Sequence, residues 1–301
     1  MKQLVILSGK GGTGKTSVAA ALAHLAATNM PIVLADADVD AANLELVLAP
    51  TKLQEHVFMG GQVAVIGSEL CRPCGRCYDV CRFEAVIHET SILGKETYRV
   101  DPLACEGCRA CITQCPEDAI TSRERQAGFW FRSDTRFGPL FHAHLFAAQE
   151  NSGKLVTMVK QQGRLMALDE GRKLLIVDGP PGIGCPVISA SAGADLALLV
   201  TEPTVSGVHD LERILGTVNH FRVPAWVLVN KADVNRAHTA NIEAYCREKG
   251  IVLVGKLPYD TVVTEAMVRG QPVTVYQPDG AVANALRQVW AQIHRRLNDS
   301  G

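Results

Sequence analysis

The stretch KQLVILSGKGGTGKTS, residues 2–17, decides the fold. Residues 2–7 are an apolar run that fits a strand buried on both faces, and the run stops at a glycine-rich loop. Residues 9–16, GKGGTGKT, match the spacing G-x-x-x-x-G-K-[ST]. Glycine is needed in such a loop because the backbone must wrap closely enough for its N–H groups to face a phosphate. From Lys15 onward Ala and Leu recur at helical spacing, so the positive end of a helix dipole adds to the same point. Lys15 is expected to reach the β- and γ-phosphates and the Thr16 hydroxyl to bind Mg²⁺. Gly9, Lys10, Gly11, Gly12, Thr13, Gly14 and Ser17 complete the expected cradle.

Outward from the loop, residues 32–35 (IVLA) form a second short strand ending at Asp36, which closes a βαβ unit. The alternation breaks near residue 58 and resumes with a helix over about 153–169 and the strand 174–178. Further strands are expected at 196–201, 226–230 and 251–255. The last helix, 281–297, places Val282, Leu286, Val289, Ile293 and Leu297 on one face. The expected fold is α/β, a doubly wound, mostly parallel sheet of the P-loop NTPase kind. It is formed by residues 1–57 and 151–301 and interrupted by an insert over 58–150.

Eight of the ten cysteines lie in that insert. Clustered cysteines in a chain without a leader segment point to metal rather than to disulfides. The runs are Cys71-x₂-Cys74-x₂-Cys77-x₃-Cys81 and Cys105-x₂-Cys108-x₂-Cys111-x₃-Cys115, and Glu84-Ala85-Val86 after the first echoes Asp118-Ala119-Ile120 after the second. Three cysteines at this spacing wrap one [4Fe–4S] cube and the fourth reaches the other. Cys71, Cys74, Cys77 and Cys115 are therefore the expected ligands of one cluster, and Cys105, Cys108, Cys111 and Cys81 of the second. Zinc is the alternative, but zinc ribbons pair two separated C-x₂-C knuckles rather than two runs of four. The insert, with a core at about 62–124, resembles the small α+β two-cluster bacterial ferredoxins; it departs from them at Arg82, where a proline usually follows the fourth cysteine.

The phosphate loop, with its second lysine at Lys10, resembles the deviant Walker A loop of the MinD/ParA/Mrp ATPases and the nitrogenase iron protein. The resemblance extends to GPPGIGCPV (179–187) and TEPTVSGVHDLER (201–213). It implies that Lys10 crosses a homodimer interface to the partner's nucleotide. Asp36 and Asp38 resemble switch I aspartates, with Asp38 orienting the attacking water and Asp40 a lesser candidate. Asp178 would hold Mg²⁺ through water, and Gly179–Gly184 would be switch II. Catalysis is thus expected from Lys10, Lys15, Asp38 and Asp178. Asn230-Lys231-Ala232-Asp233 reads like a guanine-specific N-K-x-D, yet in this family an asparagine here contacts adenine together with a later loop, here Leu257-Pro258-Tyr259. ATP and ADP are the expected nucleotides, with Asp233 pointing the other way.

The whole resembles MinD-superfamily ATPases carrying an inserted ferredoxin domain. The implied function is a slow, dimer-dependent ATPase that couples nucleotide state to electron transfer toward a redox or Fe–S partner protein. The alternatives are an Fe–S cluster carrier of Mrp type and a redox-sensing, MinD-like positioning ATPase. Basic and acidic residues balance at 30 and 31, which favours neither nucleic acid nor an anionic membrane. The first apolar run is too short for a leader, so a cytoplasmic location is expected. Cys185 is a second-rank candidate ligand, with Cys246 as the other spare cysteine, and a small buried residue is the commoner reading. His142 and His144, alternating on a strand, are read as buried or hydrogen-bonded before they are read as a metal pair. The aromatics Phe129, Trp130, Phe131, Phe137, Phe141 and Phe146 are expected to pack the insert onto the main domain. The terminal helix with Arg295-Arg296 is expected to be a core layer rather than a membrane anchor.

Overall fold

The computed structural model describes residues 1–92, 94–146 and 152–299. The chain opens with β1 (Lys2–Ser8), α1 (Lys15–Ala27), β2 (Ile32–Asp36), α2 (Leu44–Leu48) and β3 (Thr51–Ile66). There follow α3 (Arg76–Val80), β4 (Val86–Thr90), β5 (Glu96–Val100), α4 (Ala110–Thr113), β6 (Ile120–Thr135) and β7 (Gly138–Leu145). The remainder is α5 (Ser152–Asp169), β8 (Leu174–Pro181), α6 (Cys185–Ser191), β9 (Leu196–Thr201), α7 (Gly207–His220), β10 (Ala225–Val229), α8 (Arg236–Glu248), β11 (Val252–Lys256), α9 (Val262–Val268), α10 (Val273–Tyr276) and α11 (Ala281–Asn298). Two compact units result. The first is Met1–His56, Phe129–His144 and Ser152–Gly301; the second is Val57–Gly128 and Leu145–Asn151.

The first unit is built on a sheet whose strands run in the order β11-β10-β9-β1-β8-β2-β7, continuing through β6 and β3. From β11 to β7 the neighbouring strands pair in parallel. Both faces of the central strands are covered, which is why they read as unbroken apolar runs. Leu4, Ile6, Leu34, Ile176 and Leu198 face a core shared with α1, α10 and α11, while Val5, Leu7, Val33, Val177 and Leu199, equally buried, belong to the opposite face. On α11 the five residues expected on one face are all buried.

Phe129–His144 lie in the first unit, whereas the insert expected from the sequence ran from 58 to 150. The reason is β7: Leu140 and Phe141 pair with Leu34 and Ala35, so β7 extends the main sheet beside β2. The aromatics are divided accordingly. Phe131 and Phe141 are buried in the first unit, Trp130 stacks on His56 at 4.1 Å, and Phe146 belongs to the second unit.

The second unit repeats itself in backbone as well as in sequence. Gly75 and Arg109, both left-handed at φ 79° and 64°, precede α3 and α4. Glu84 and Asp118, at φ 51° and 48°, take the same strained conformation after each run. Gly67 N–H donates to the Ala119 carbonyl and Asp101 N–H to the Ala85 carbonyl, at 2.8 and 2.7 Å, which are equivalent bonds in the two halves. β4 and β5 form an antiparallel hairpin, with Val86 opposite Val100 and Thr90 opposite Glu96. Among the described residues the buried core of this unit is small: a cluster of Val63, Ala64, Cys77, Ala85, Val86, Cys105 and Ile120, with Phe58, Ala119 and Ala127 buried as well.

Candidate functional site

Parallel register brings the expected phosphate-site residues to one edge of the sheet. Ile6, at the end of β1, stands beside Asp178 of β8, and Asp178 stands beside Asp36 of β2. Ligands of open α/β sheets bind outside such carboxyl ends. The loop from Gly9 to Gly14 wraps there. Gly14 has φ 87°, and a Cβ on it would lie 2.3 Å from Asn230 Nδ2; a Cβ on Gly9 would lie 2.4 Å from the Asp210 carbonyl. Residues 11–17 line a cavity of about 650 Å³ together with Asp38, Asp40, Pro181, Asn230, Pro258 and Tyr259. That volume is in the range of small-molecule sites.

The floor of the cavity is a buried charge cluster. Lys15 Nζ is 3.0 Å from Asp178 Oδ1 and 3.4 Å from Asp38 Oδ2, and the Lys15 and Asp178 side chains are 6% and 0% exposed. Burial pushes the Lys15 pKa down, but Asp178, Asp38 and Asp36 outweigh it and hold it above the ordinary lysine value. Asp36 is fully buried and accepts the Asp38 N–H and the Leu44 N–H at 3.1 and 3.0 Å, so it fixes the loop leading to α2. Burial, and then Asp178, push its carboxyl well above the usual range. Burial likewise raises Asp38, which suits a group that accepts a proton from water. Asp178 Oδ2 is buried without a hydrogen-bond partner among the protein atoms. A bare buried carboxylate oxygen is costly unless something polar reaches it, and Asp178 lies 3.0 Å from Lys15, which lines the cavity together with Thr16.

At the base end Asn230 Nδ2 donates to the Thr13 carbonyl at 2.8 Å, tying β10 to the phosphate loop. Asp233 is turned elsewhere. Its Oδ1 accepts the Tyr259 N–H at 2.7 Å, and it lines a separate surface cavity with Arg236, Glu243 and Lys256. The carboxylate that a guanine reading requires therefore holds the Pro258–Tyr259 loop in place. Lys10 Nζ lies 2.9 Å from Glu202 Oε1 and 2.9 Å from Thr204 Oγ1.

The CobQ/CobB/MinD/ParA nucleotide-binding domain model matches residues 4–273. The chain belongs to that family. It is a MinD/ParA-type ATPase. An uncharacterised protein of Methanocaldococcus jannaschii is 36% identical over 235 residues, covering 77% of this chain and 79% of the relative. The septum site-determining protein MinD of Bacillus subtilis is 25% identical over 297 residues, covering 96% and 88%. Among solved structures, MinD of Pyrococcus horikoshii complexed with Mg-ADP matches the fold with a TM-score of 0.62 at 18% identity, covering 100% of this chain and 98% of that one.

In this MinD/ParA-type ATPase the eight clustered cysteines divide into two sets. Cys71, Cys74, Cys77 and Cys115 line one cavity of the second unit, with Tyr98 and Arg76. Cys81, Cys105, Cys108 and Cys111 line another, with Phe83 and Arg109. This is the partition expected from the spacing. Among the described residues no three His, Cys, Asp or Glu side chains converge on a point as a single metal ion needs. Four thiols around a cavity suit a larger, multi-atom centre. Burial pushes Cys77 up to about 11, the wrong direction for a free thiolate nucleophile and one that a positive centre would reverse.

The remaining candidates resolve as follows. Cys246 is buried, but Cys185, expected to be buried, is exposed at the first turn of α6. His142 and His144 share one carboxylate: His144 Nε2 is 3.1 Å from Glu45 Oε1, and His142 Nδ1 is 3.1 Å from Glu45 Oε2, while His142 Nε2 bonds Ser133 Oγ at 2.8 Å. No described helix is long and apolar enough to cross a membrane. Glu202 lies within the motif 201–213 but was given no role there, and no motif pointed to Val263, Thr264 and Met267 of α9, which complete the cavity wall. Their only signal is helical spacing, which says nothing of a site far away in sequence.

Proposed function

We propose that this ATPase is a nucleotide-dependent homodimeric switch that couples its ATP state to electron transfer through two [4Fe–4S] clusters. One observation carries the reading: eight cysteines at ferredoxin spacing form two sets of four, each around its own cavity, within a MinD/ParA-type chain. Cys71, Cys74, Cys77 and Cys115 would hold one cluster, and Cys105, Cys108, Cys111 and Cys81 the other; such clusters supply one-electron transfer at low potential.

At the nucleotide, the loop N–H groups and Lys15 bind and neutralise the phosphates. Thr16 and, through water, Asp178 would hold Mg²⁺. Asp38 orients the attacking water and takes its proton, and Lys10 serves the partner's nucleotide across the dimer. Asn230 and the Pro258 loop favour adenine, in keeping with Asp233 being engaged by Tyr259 and with the Mg-ADP of the Pyrococcus horikoshii relative.

Coupling has a covalent basis in the first unit. β7 pairs with β2, whose end is Asp36, and its chain continues into the second unit. α5 follows that unit and packs on α6, the helix after Gly179–Gly184. Lys160 of α5 donates to the Ser189 and Ala192 carbonyls, the latter at 2.7 Å, and so ties the two helices. A shift in either nucleotide-sensing segment would thus bear on β7 or α5, which flank the 145–151 piece of the second unit.

The test is an anaerobic redox titration followed by electron paramagnetic resonance, with and without Mg²⁺ and a non-hydrolysable ATP analogue. Two interacting reduced clusters whose midpoints move on nucleotide binding support the switch. Clusters with unmoved midpoints that pass to an apo-acceptor would move the assignment to a carrier.

A further inference from the structure

Two lysines from opposite sides of the phosphate loop end on one carboxylate. Lys10, from the loop itself, lies 2.9 Å from Glu202 Oε1, and Lys231, from the segment after β10, lies 3.0 Å from Glu202 Oε2. Lys10 has a second anchor in Thr204, and Lys231 a second in the Gly12 carbonyl at 3.3 Å. The Glu202 side chain is only 15% exposed. Burial raises its pKa, but the bonds from Lys10 and Lys231 outweigh this and hold it below the usual carboxylate range, so it stays ionised at neutral pH.

Gly12 and Lys231 line the nucleotide cavity. A polyphosphate there therefore meets a fixed anion that already satisfies two nearby cations. At low dielectric such a counter-charge matters more than it would in water. We propose that Glu202 is a positioning residue for the ATPase reaction: it holds Lys10 and Lys231 on their own phosphate loop, and the nucleotide's phosphates must draw on the same lysines against it. The further consequence, that Glu202 restrains Lys10 from reaching a second copy, rests on the homodimer reading above. The competition for charge does not.

The experiment compares the full-length wild type with Glu202→Gln and Glu202→Asp. Mg-ADP affinity is measured by calorimetry at low and high salt, and hydrolysis across a range of ATP concentrations. Glu202→Gln is expected to bind Mg-ADP about three- to tenfold more tightly at low salt, an advantage that shrinks as salt screens it. KM for ATP should fall in step, and Glu202→Asp should keep the wild-type values. A purely structural residue would lower thermal stability without tightening binding. Unchanged or weaker binding by a folded Glu202→Gln overturns the proposal. Should that variant not fold, Glu202→Asn, smaller and also neutral, carries the same expectation. Sedimentation with the ATP analogue separates the two readings: no dimer from wild type sinks the homodimer, while the affinity comparison still decides the role of Glu202.

Discussion

Lys15 and Asp178 meet at 3.0 Å inside a sheet whose neighbouring strands are covered on both faces. Cys77 and Cys105 are also buried, but the cluster they join has only five other buried members among the described residues. The two regions place chemically demanding groups out of water with very different support. Around the phosphate loop the opposing charges satisfy one another and the sheet fixes their register. In the cysteine unit the thiols are part of the core, and the small remainder cannot bury enough apolar surface for a stable fold of its own. The first site is a preformed cradle, whereas under the cluster assignment proposed above the second depends on the group that its thiols would hold.

If the thiols hold the proposed iron–sulfur clusters, the most direct way to break this contrast is to remove the iron. Anaerobic chelation of the purified protein should abolish hydrogen-exchange protection across residues 57–128, because a small metal-dependent unit gains most of its folding free energy from the centre. Calorimetry should show Mg-ADP affinity within about twofold of the untreated protein, since the cradle rests on its own core. If chelation also destroys nucleotide binding, the two units are not independent in stability and the contrast fails.

The first unit has its own weak point in acid, at His142. This side chain is 1% exposed, and burial, opposed by Glu45, lowers its pKa to about 4. A base with a depressed folded pKa binds fewer protons folded than unfolded. Its stabilising effect is therefore complete above about 6.5 and is lost as pH falls toward about 4. The loss amounts to about 3 kcal/mol at the low end. Urea unfolding followed between pH 7 and 5 should show this slope, and His142→Gln should flatten it. A slope unchanged in the variant would place the acid sensitivity elsewhere.

How much of this was legible in the sequence follows from the range of each interaction. The strands, α1 and the glycine loop are written in local periodicity and fixed spacing, and the two thiol sets in a repeat. What escaped depends on distance along the chain. Lys10 meets Thr204 across 194 positions and Ser17 meets Met267 across 250, and no local pattern records either pairing. The expected insert includes 129–144 because helix–strand alternation breaks near residue 58 and resumes only near 153. The pairing of β7 beside β2, neighbours in space but far apart in sequence, could not be seen from either strand alone. Asp233 matched a base-recognition motif in letters, and only its bond to Tyr259 N–H shows what it does.

Within the cysteine unit the contrast sharpens to one between its two halves, where the expected effect is smallest. The repeat places Arg72 opposite Glu106, Arg76 opposite Ala110, and Glu117 opposite Phe83. The first cavity is therefore lined by Arg72, Arg76 and Glu117, along with Tyr98, and the second by Glu106, Arg109 and Phe83. Arg72 is 3.6 Å from Glu117 in the first cavity, and the second has the one cation Arg109 beside the one anion Glu106, so Arg76 is the extra positive charge of the first cavity. Positive charge and polar hydrogens near an iron–sulfur cluster favour its reduced form. The cluster proposed at Cys71, Cys74, Cys77 and Cys115 should thus have the higher midpoint potential. Arg76→Ala should lower that midpoint and leave the other in place. If the lower midpoint moves instead, or neither does, the charge difference between the halves does not order the clusters.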